Sequence, residues 1–359
     1  MAIPSLNFGK KQTEVPIIQG GMGIGISLSS LAGAVANAGG VGIISGAQVG
    51  YREDDFRKNP DTANQRALSK EIKKARTISP EGIIGVNFLT AMNNYGDMVK
   101  QAVKDGADVI ISGAGLPFDL PKYVKGSKTS IVPIVSSAKA AKVIVRKWLR
   151  DYNYFPDAFI IEGPEAGGHL GFDKETLLDD EKKSGLLEQA LVKVKEIIAP
   201  FEEKQGQKIP IIVAGGIFTG EDIARFLKKG ADGVQMATRF VATEECDASD
   251  EFKQAYINAK AEDVAIVKSP VGLPGRAIRN EFVKAIEAGP VKVKHCYRCL
   301  KECVANKTPY CITDALIDAV EGRLETGLIF AGSQVGRVTK MMKVQELIDE
   351  LKSDLNKAW

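Results

Sequence analysis

A (β/α)₈ barrel of the TIM-barrel type, with a smaller helical module carrying four cysteines inserted near the C-terminus, is what the sequence predicts. Three observations lead there. Short β-branched runs recur eight times with helix-like stretches between them. Nearly every run ends in glycine or a small polar residue, the composition of loops that gather at one face of a barrel. The 359 residues exceed the roughly 250 of such a barrel by enough for one additional module.

Val15 to Ile18 is the first strand, and it runs into Gln19-Gly20-Gly21-Met22-Gly23-Ile24-Gly25, a loop able to approach a ligand closely. Ser27, Ser29 or Ser30 caps the next helix, in which Ala32, Gly33, Ala34, Ala36 and Ala38 allow tight packing before Gly39-Gly40 stops it. Val41 to Ile44 is the second strand. Links this short between strand, helix and strand belong to a parallel sheet. Residues 48 to 80 are polar, with an exposed helix over Asn64 to Thr77, and form an enlarged connection. Gly82 to Phe88, Asp108 to Ser112 and Ile131 to Val135 are strands three to five. Asn94 to Lys104 is the helix between the first two, and Ser136 and Ser137 cap the helix that runs to Arg150.

Residues 157 to 161 make the sixth strand, apolar enough to be buried on both faces. The charged stretch Asp173 to Ser184 precedes an amphipathic helix to Ala199. Pro210 to Val213 and Asp232 to Met236 are strands seven and eight, with Thr219 or Gly220 opening the helix between them. A doubly wound open sheet also alternates strand and helix, but rarely needs eight such units. In the last segment Val344, Leu347, Ile348 and Leu351 recur at helical spacing and complete the barrel wall. The expected organisation is therefore a barrel over 1–245, a cysteine-bearing insert over 246–322 and a return to the barrel over 323–359.

With 48 basic and 45 acidic side chains interspersed along the chain, there is no electrostatic footprint for nucleic acid. The expected partner is a small molecule, with room for a homodimer. No apolar run reaches the ~18 residues needed to cross a membrane, and Met1 to Lys10 lacks the charged start and apolar core of a secretion signal. A cytoplasmic location with no membrane partner is expected.

The residues with chemistry follow the sixth strand. Glycines at 163, 167, 168 and 171 surround Glu162 and Glu165 and let the main chain approach a flat ligand, Gly167 and Gly168 most closely beside His169. His169, one of only two histidines, can give or take a proton near neutrality. Barrels often bind phosphate at loops seven and eight through main-chain N–H groups and a helix N-terminus; here those loops supply Gly215, Gly216 and Thr238.

The motifs Gln19-Gly20-Gly21-Met22, Gly85-Val86-Asn87, Glu165-Ala166-Gly167-Gly168-His169, Ala214-Gly215-Gly216-Ile217 and Gln235-Met236-Ala237-Thr238-Arg239-Phe240 occur in this order. On them the chain resembles the nitronate monooxygenase family, also called 2-nitropropane dioxygenases, which is similar to the FMN-dependent enoyl-acyl-carrier-protein reductase II. The resemblance covers residues 15 to 245, and Ser269-Pro270-Val271-Gly272 to Arg276 and Gly327 to Gly336 look like the family's C-terminal elements. It implies an FMN-binding barrel. Gly21 and Met22 would line the isoalloxazine, Asn87 and Glu162 would hydrogen-bond the flavin, and Gly215, Gly216, Gln235 and Thr238 would hold its phosphate end. Gly167, Gly168 and Met236 join that set, and Lys139, just after strand five, is a further polar contact.

His169 would face substrate beside the flavin. Acting on a nitroalkane, its neutral imidazole would remove the proton next to the nitro group, and FMN and O₂ would complete an oxidative denitrification. Acting on an enoyl thioester, it would steer a proton while reduced FMN delivers hydride, with NAD(P)H as a transient donor. Position 162 is glutamate, as in the reductase branch, where many monooxygenases look to have glutamine. A non-catalytic flavin- or metal-binding protein that recruits a partner is the reading from another class.

Cys296, Cys299, Cys303 and Cys311 crowd into sixteen residues. Their spacing resembles the iron–sulfur segment that follows the flavin barrel in some Old Yellow Enzyme relatives, with a shorter last gap. Four converging thiolates could hold [4Fe-4S] or Zn²⁺; free thiols in a compact loop are the alternative. A cluster beside the flavin would relay electrons and make the protein a reductase.

Overall fold

In the computed structural model, which describes residues 3–9 and 11–359, eight parallel strands close into a barrel. They are β1 (Ile17–Gln19), β2 (Val41–Ser45), β3 (Ile83–Leu89), β4 (Val109–Gly113), β5 (Ser130–Val135), β6 (Phe159–Glu162), β7 (Ile211–Ala214) and β8 (Gly233–Met236). Each pairs with the next in sequence, and β8 closes the ring on β1 with Met236 opposite Gln19. Every strand lies within two residues of its expected place.

Alternate residues explain the near-continuous apolar runs. Ile18, Val41, Ile43, Ile83, Val109, Ile111, Val132, Ile160 and Ile212 fill the barrel interior, while their neighbours Ile17, Ile44, Ile84, Ile110, Ile131, Ile161, Ile211 and Val213 pack outward against the helices. Both faces are buried, so neither needs polar side chains. Leu6 and Phe8, from a short N-terminal hairpin (Asn7–Phe8 with Lys11–Gln12), plug the lower end of the interior. Between β1 and β2 the ladder is thin, with Ile18 opposite Val41 as its single register pair. The buried Gln19 amide bridges the gap, accepting from Ile43 N–H at 3.0 Å and donating to the Ile43 carbonyl at 3.2 Å.

The helices follow the expected signals with one exception. Ser137 caps the helix Ala138–Tyr152, and Thr219 with Asp222 forms a capping box for Gly220–Lys228. The first helix, Ser29–Asn37, is not capped by its serines. Asp247 accepts from the N–H groups of Leu28 at 2.7 Å, Ser30 at 3.3 Å and Leu31 at 3.2 Å, and Glu71 accepts from Ser29 at 2.9 Å. Ser27 instead accepts from Met22 N–H at 2.9 Å and braces the loop after β1.

After β8 and the short helix Thr238–Val241 the chain leaves the barrel, and it rejoins the wall at Met342, bridged to Thr243. The closing helix Val344–Ala358 buries Val344, Leu347, Ile348, Leu351 and Leu355 and takes the outer position after β8. The intervening segment has three helices, Asp250–Asn258, Glu281–Ala288 and Ile312–Val320. It also contains an antiparallel hairpin the sequence did not announce, Val264–Lys268 with Pro274–Ile278. The second arm of that hairpin pairs with the two-residue strand Gly168–His169, placing Gly275 opposite His169 and Arg276 opposite Gly168.

The structure lends no support to a metal at the four cysteines. Cys296, Cys299, Cys303 and Cys311 are free thiols, and among the described residues no group of three or more Cys, His, Asp or Glu could hold a metal ion. The segment is irregular, with turns after Leu300, and docks on the loop after β3, Asn93 N–H donating to the Cys299 carbonyl at 3.1 Å and Lys301 N–H to the Ala91 carbonyl at 2.9 Å. Cys299 and Cys311 pack against apolar residues of the insert. Burial pushes the Cys299 thiol up, and that of Cys311 to about 12, which favours the neutral thiol over the thiolate a metal would need. No helix among the described residues is long and apolar enough to cross a membrane.

Candidate active site

The strand ends open into a cavity of about 270 Å³. Gly21, Met22, Asn87, Glu162, Gly167, Gly168, His169, Gly215, Gly216, Gln235, Met236 and Thr238, drawn from five strand ends, all line it. Lys139 does not. The helix begins at Ala138, and Lys139 in its first turn is exposed; the residue β5 presents to the cavity is Ile134.

One side of the cavity is main chain. A Cβ at Gly21 would overlap the Cβ of Asn87, so only glycine lets this loop cross the end of β3. Gly215 and Gly216 have φ of +100° and +75°, the left-handed region that glycine adopts without strain, and a Cβ on Gly215 would lie 2.9 Å from the Ala166 nitrogen. Against Gly20, Oε1 of Gln235 is buried without a hydrogen-bond partner. A buried acceptor left unpaired costs about 1–3 kcal/mol, which a ligand donor would recover.

The other side is built by the insert. His169 Nε2 lies 2.8 Å from Ser269 Oγ, and its ring meets Phe330 edge-on at 5.0 Å between centroids. Burial lowers the imidazole to about 4, so it is neutral around pH 7. Burial drives Glu162 the other way, up to about 8 against the opposing Arg276 charge, so its carboxyl is largely protonated at neutrality. Arg276, 2% exposed, donates to the carbonyls of Pro164 at 2.6 Å and Ala166 at 2.5 Å. Glu165 pairs with Lys183 at 3.5 Å. Val271, Leu300, Ile312, Leu316 and Phe330 form an apolar cover.

Ser269, Arg276, Phe330 and the cover were not singled out by sequence reasoning. The stretches holding the first three stood out as family-like, but no local pattern shows that they would meet the loop after β6. An orphaned acceptor, a glycine cradle and a neutral imidazole suit a flat, phosphorylated ring system, and they place the protein among the flavin-dependent oxidoreductases built on this barrel. The family model for nitronate monooxygenase matches residues 5–354, and the chain belongs to that family.

Among its relatives, "(3aS,4S,5R,7aS)-5-hydroxy-7a-methyl-1-oxo-octahydro-1H-indene-4-carboxyl-CoA dehydrogenase" of Mycobacterium tuberculosis is 29% identical over 77% of this chain and 66% of that protein, a little under two thirds of its length. "Probable nitronate monooxygenase" of Staphylococcus saprophyticus is 28% identical over 77% of this chain and 78% of its own length. The solved structure of FabK from Thermotoga maritima superposes with a TM-score of 0.73 at 27% identity, over 96% of this chain and 94% of that one. The family is FMN-dependent in general.

Proposed function

We propose that the protein binds FMN against the glycine side of the cavity and carries out oxidative denitrification of alkyl nitronates or nitroalkanes with O₂. The observation that carries this is a neutral imidazole, His169, facing the same cavity as the main-chain cradle of Gly21, Gly215 and Gly216. Bound FMN supplies the redox chemistry, accepting electrons from substrate and passing them to O₂.

The chain's own residues do the rest. Gly21, Met22, Gly167 and Gly168 would let the wall lie against a flat ring, and Gln235, expected at the phosphate end, would instead use its unpaired Oε1 to accept a hydrogen bond from the ring. Asn87 and the protonated Glu162 would offer donors, and Gly215, Gly216 and Thr238, with Met236 in the same lining, would hold the phosphate end. His169 takes the proton from the carbon next to the nitro group. An imidazole lowered to about 4 is ready in its base form but weak, so nitronates, already deprotonated, are the better substrates. The five free thiols support a reducing, cytoplasmic setting.

NAD(P)H-dependent reduction of an acyl thioester is the second reading. It is favoured by glutamate at 162 and by the thioester in the name of the Mycobacterium tuberculosis relative. The FMN-loaded protein separates the two. Oxygen uptake with the nitronate of 2-nitropropane or with propionate 3-nitronate supports denitrification; rapid anaerobic bleaching by NADH or NADPH without such uptake sinks it. Losing most turnover of nitroalkanes while FMN stays bound is the result expected of His169→Ala.

A further inference from the structure

Ser269 follows directly on the first arm of the insert hairpin and is 3% exposed. Main-chain pairing brings His169 to it: Gly275 is opposite His169, and Leu170 N–H donates to the Pro274 carbonyl at 2.9 Å. The 2.8 Å contact between Nε2 and Ser269 Oγ is thus held by the fold on both sides. Phe330, edge-on to the ring, packs beside it. Nδ1 has no partner among the described residues and is not one of the buried unpaired atoms, so it opens on the cavity that His169 lines.

A neutral imidazole carries one proton, and the bond made by one nitrogen decides the state of the other. Ser269 Oγ already accepts the Val271 N–H at 3.3 Å. A hydroxyl oxygen has a second lone pair, and the Nε2 of His169 reaches it at 2.8 Å. We propose that Ser269 is the positioning residue of His169: it accepts the Nε2–H and leaves the lone pair on Nδ1, through which proton exchange with substrate runs. When a nitroalkane reacts, its C–H bond breaks, the electron pair stays with the nitronate, and the proton forms Nδ1–H of an imidazolium before leaving to water. The inference rests on the cavity being the reaction site, but its tautomer can be read without turnover.

The test is a long-range ¹H–¹⁵N correlation spectrum of the FMN-loaded protein labelled in its imidazoles. The chain has two histidines, and His295→Gln removes the second set of signals. Nε2 is expected to be protonated and Nδ1 bare in the parent protein. Ser269→Ala shifts His169 to the other tautomer or a mixture and lowers kcat/KM for nitroalkanes about 10- to 100-fold with little effect on KM for nitronates. Ser269→Thr, which keeps the hydroxyl, restores the parent tautomer. A bare Nε2 in the parent, or an unchanged tautomer in Ser269→Ala, overturns the proposal; if Ser269→Ala does not fold, the parent spectrum alone decides. The expected tautomer in a protein that turns over no nitro compound counts against the activity and not against this role of Ser269.

Discussion

Arg276 grips Ala166 from inside the protein, its guanidinium donating to that carbonyl at 2.5 Å and to the carbonyl of Pro164 at 2.6 Å. One buried cation thus shapes the loop leading to His169 from more than a hundred residues away in sequence. Arg276→Ala strands both carbonyls. A loss of about 2–4 kcal/mol in urea unfolding is expected, with FMN affinity falling about tenfold or more by fluorescence titration. Arg276→Lys should recover only part, because an ammonium lacks the guanidinium's fixed array of donors. Unchanged FMN affinity in Arg276→Ala would mean that the loop keeps its shape unaided.

Gly21→Ala and Gly168→Ala test different demands on glycine. At Gly21 the new methyl group would overlap Asn87, so the loop after β1 must move and FMN binding should drop at least about tenfold. At Gly168 nothing lies within 4 Å, but φ is +73°. The expected cost there is conformational strain of about 1–2 kcal/mol, with the cavity keeping its shape. Titration with FMN alongside thermal unfolding distinguishes the two.

Without flavin, stability should fall with rising pH through Glu162. Its folded value of about 8 lies above the ordinary 4.5, so its contribution is fully present below about 4.5 and is lost as pH rises through about 8. Asp247, raised by burial to about 6, adds to the early part of that slope. His169 acts in the opposite sense: lowered from 6.5 to about 4, its contribution is present above 6.5 and is lost as pH falls through about 4. Thermal unfolding of the flavin-free parent and Glu162→Gln across pH isolates the first effect. A Tm difference that does not vary with pH would show that Glu162 is ionised in the folded protein.

Charge on the substrate tail should matter. The insert covers the cavity with Val271, Leu300, Ile312, Leu316 and Phe330, and the charged-type side chains on its wall are Glu162 and Glu165. A nitronate with an uncharged alkyl tail should show kcat/KM about tenfold or more above that of propionate 3-nitronate. Leu316→Lys should narrow the gap, and a parent enzyme that prefers the carboxylate-bearing nitronate would refute this.

The barrel was legible because each strand is buried on both faces, so runs such as Ile160-Ile161 and Ile211-Ile212-Val213 stand out without alternation. His169, Gly215, Gly216 and Thr238 were legible because they follow strands directly. Lys139 also follows one, but a helix capped by Ser137 starts at once and leaves that side chain exposed. Cysteine spacing revealed how many thiols lie near one another and not which way they point. The Asp247 cap and the meeting of Ser269 with His169 depend on partners 100 or more residues away, which no local pattern encodes.

The strand Gly168–His169 is tied to the insert hairpin and not to its barrel neighbours, and this sets an order of assembly. Contacts between residues so distant in sequence close large loops and tend to form late. The Leu170 amide, bonded to Pro274, should accordingly exchange with deuterium sooner than amides within β6. The seam that carries the imidazole opens before the staves do, so on gentle denaturation the chemistry disappears while the cylinder beneath is still standing.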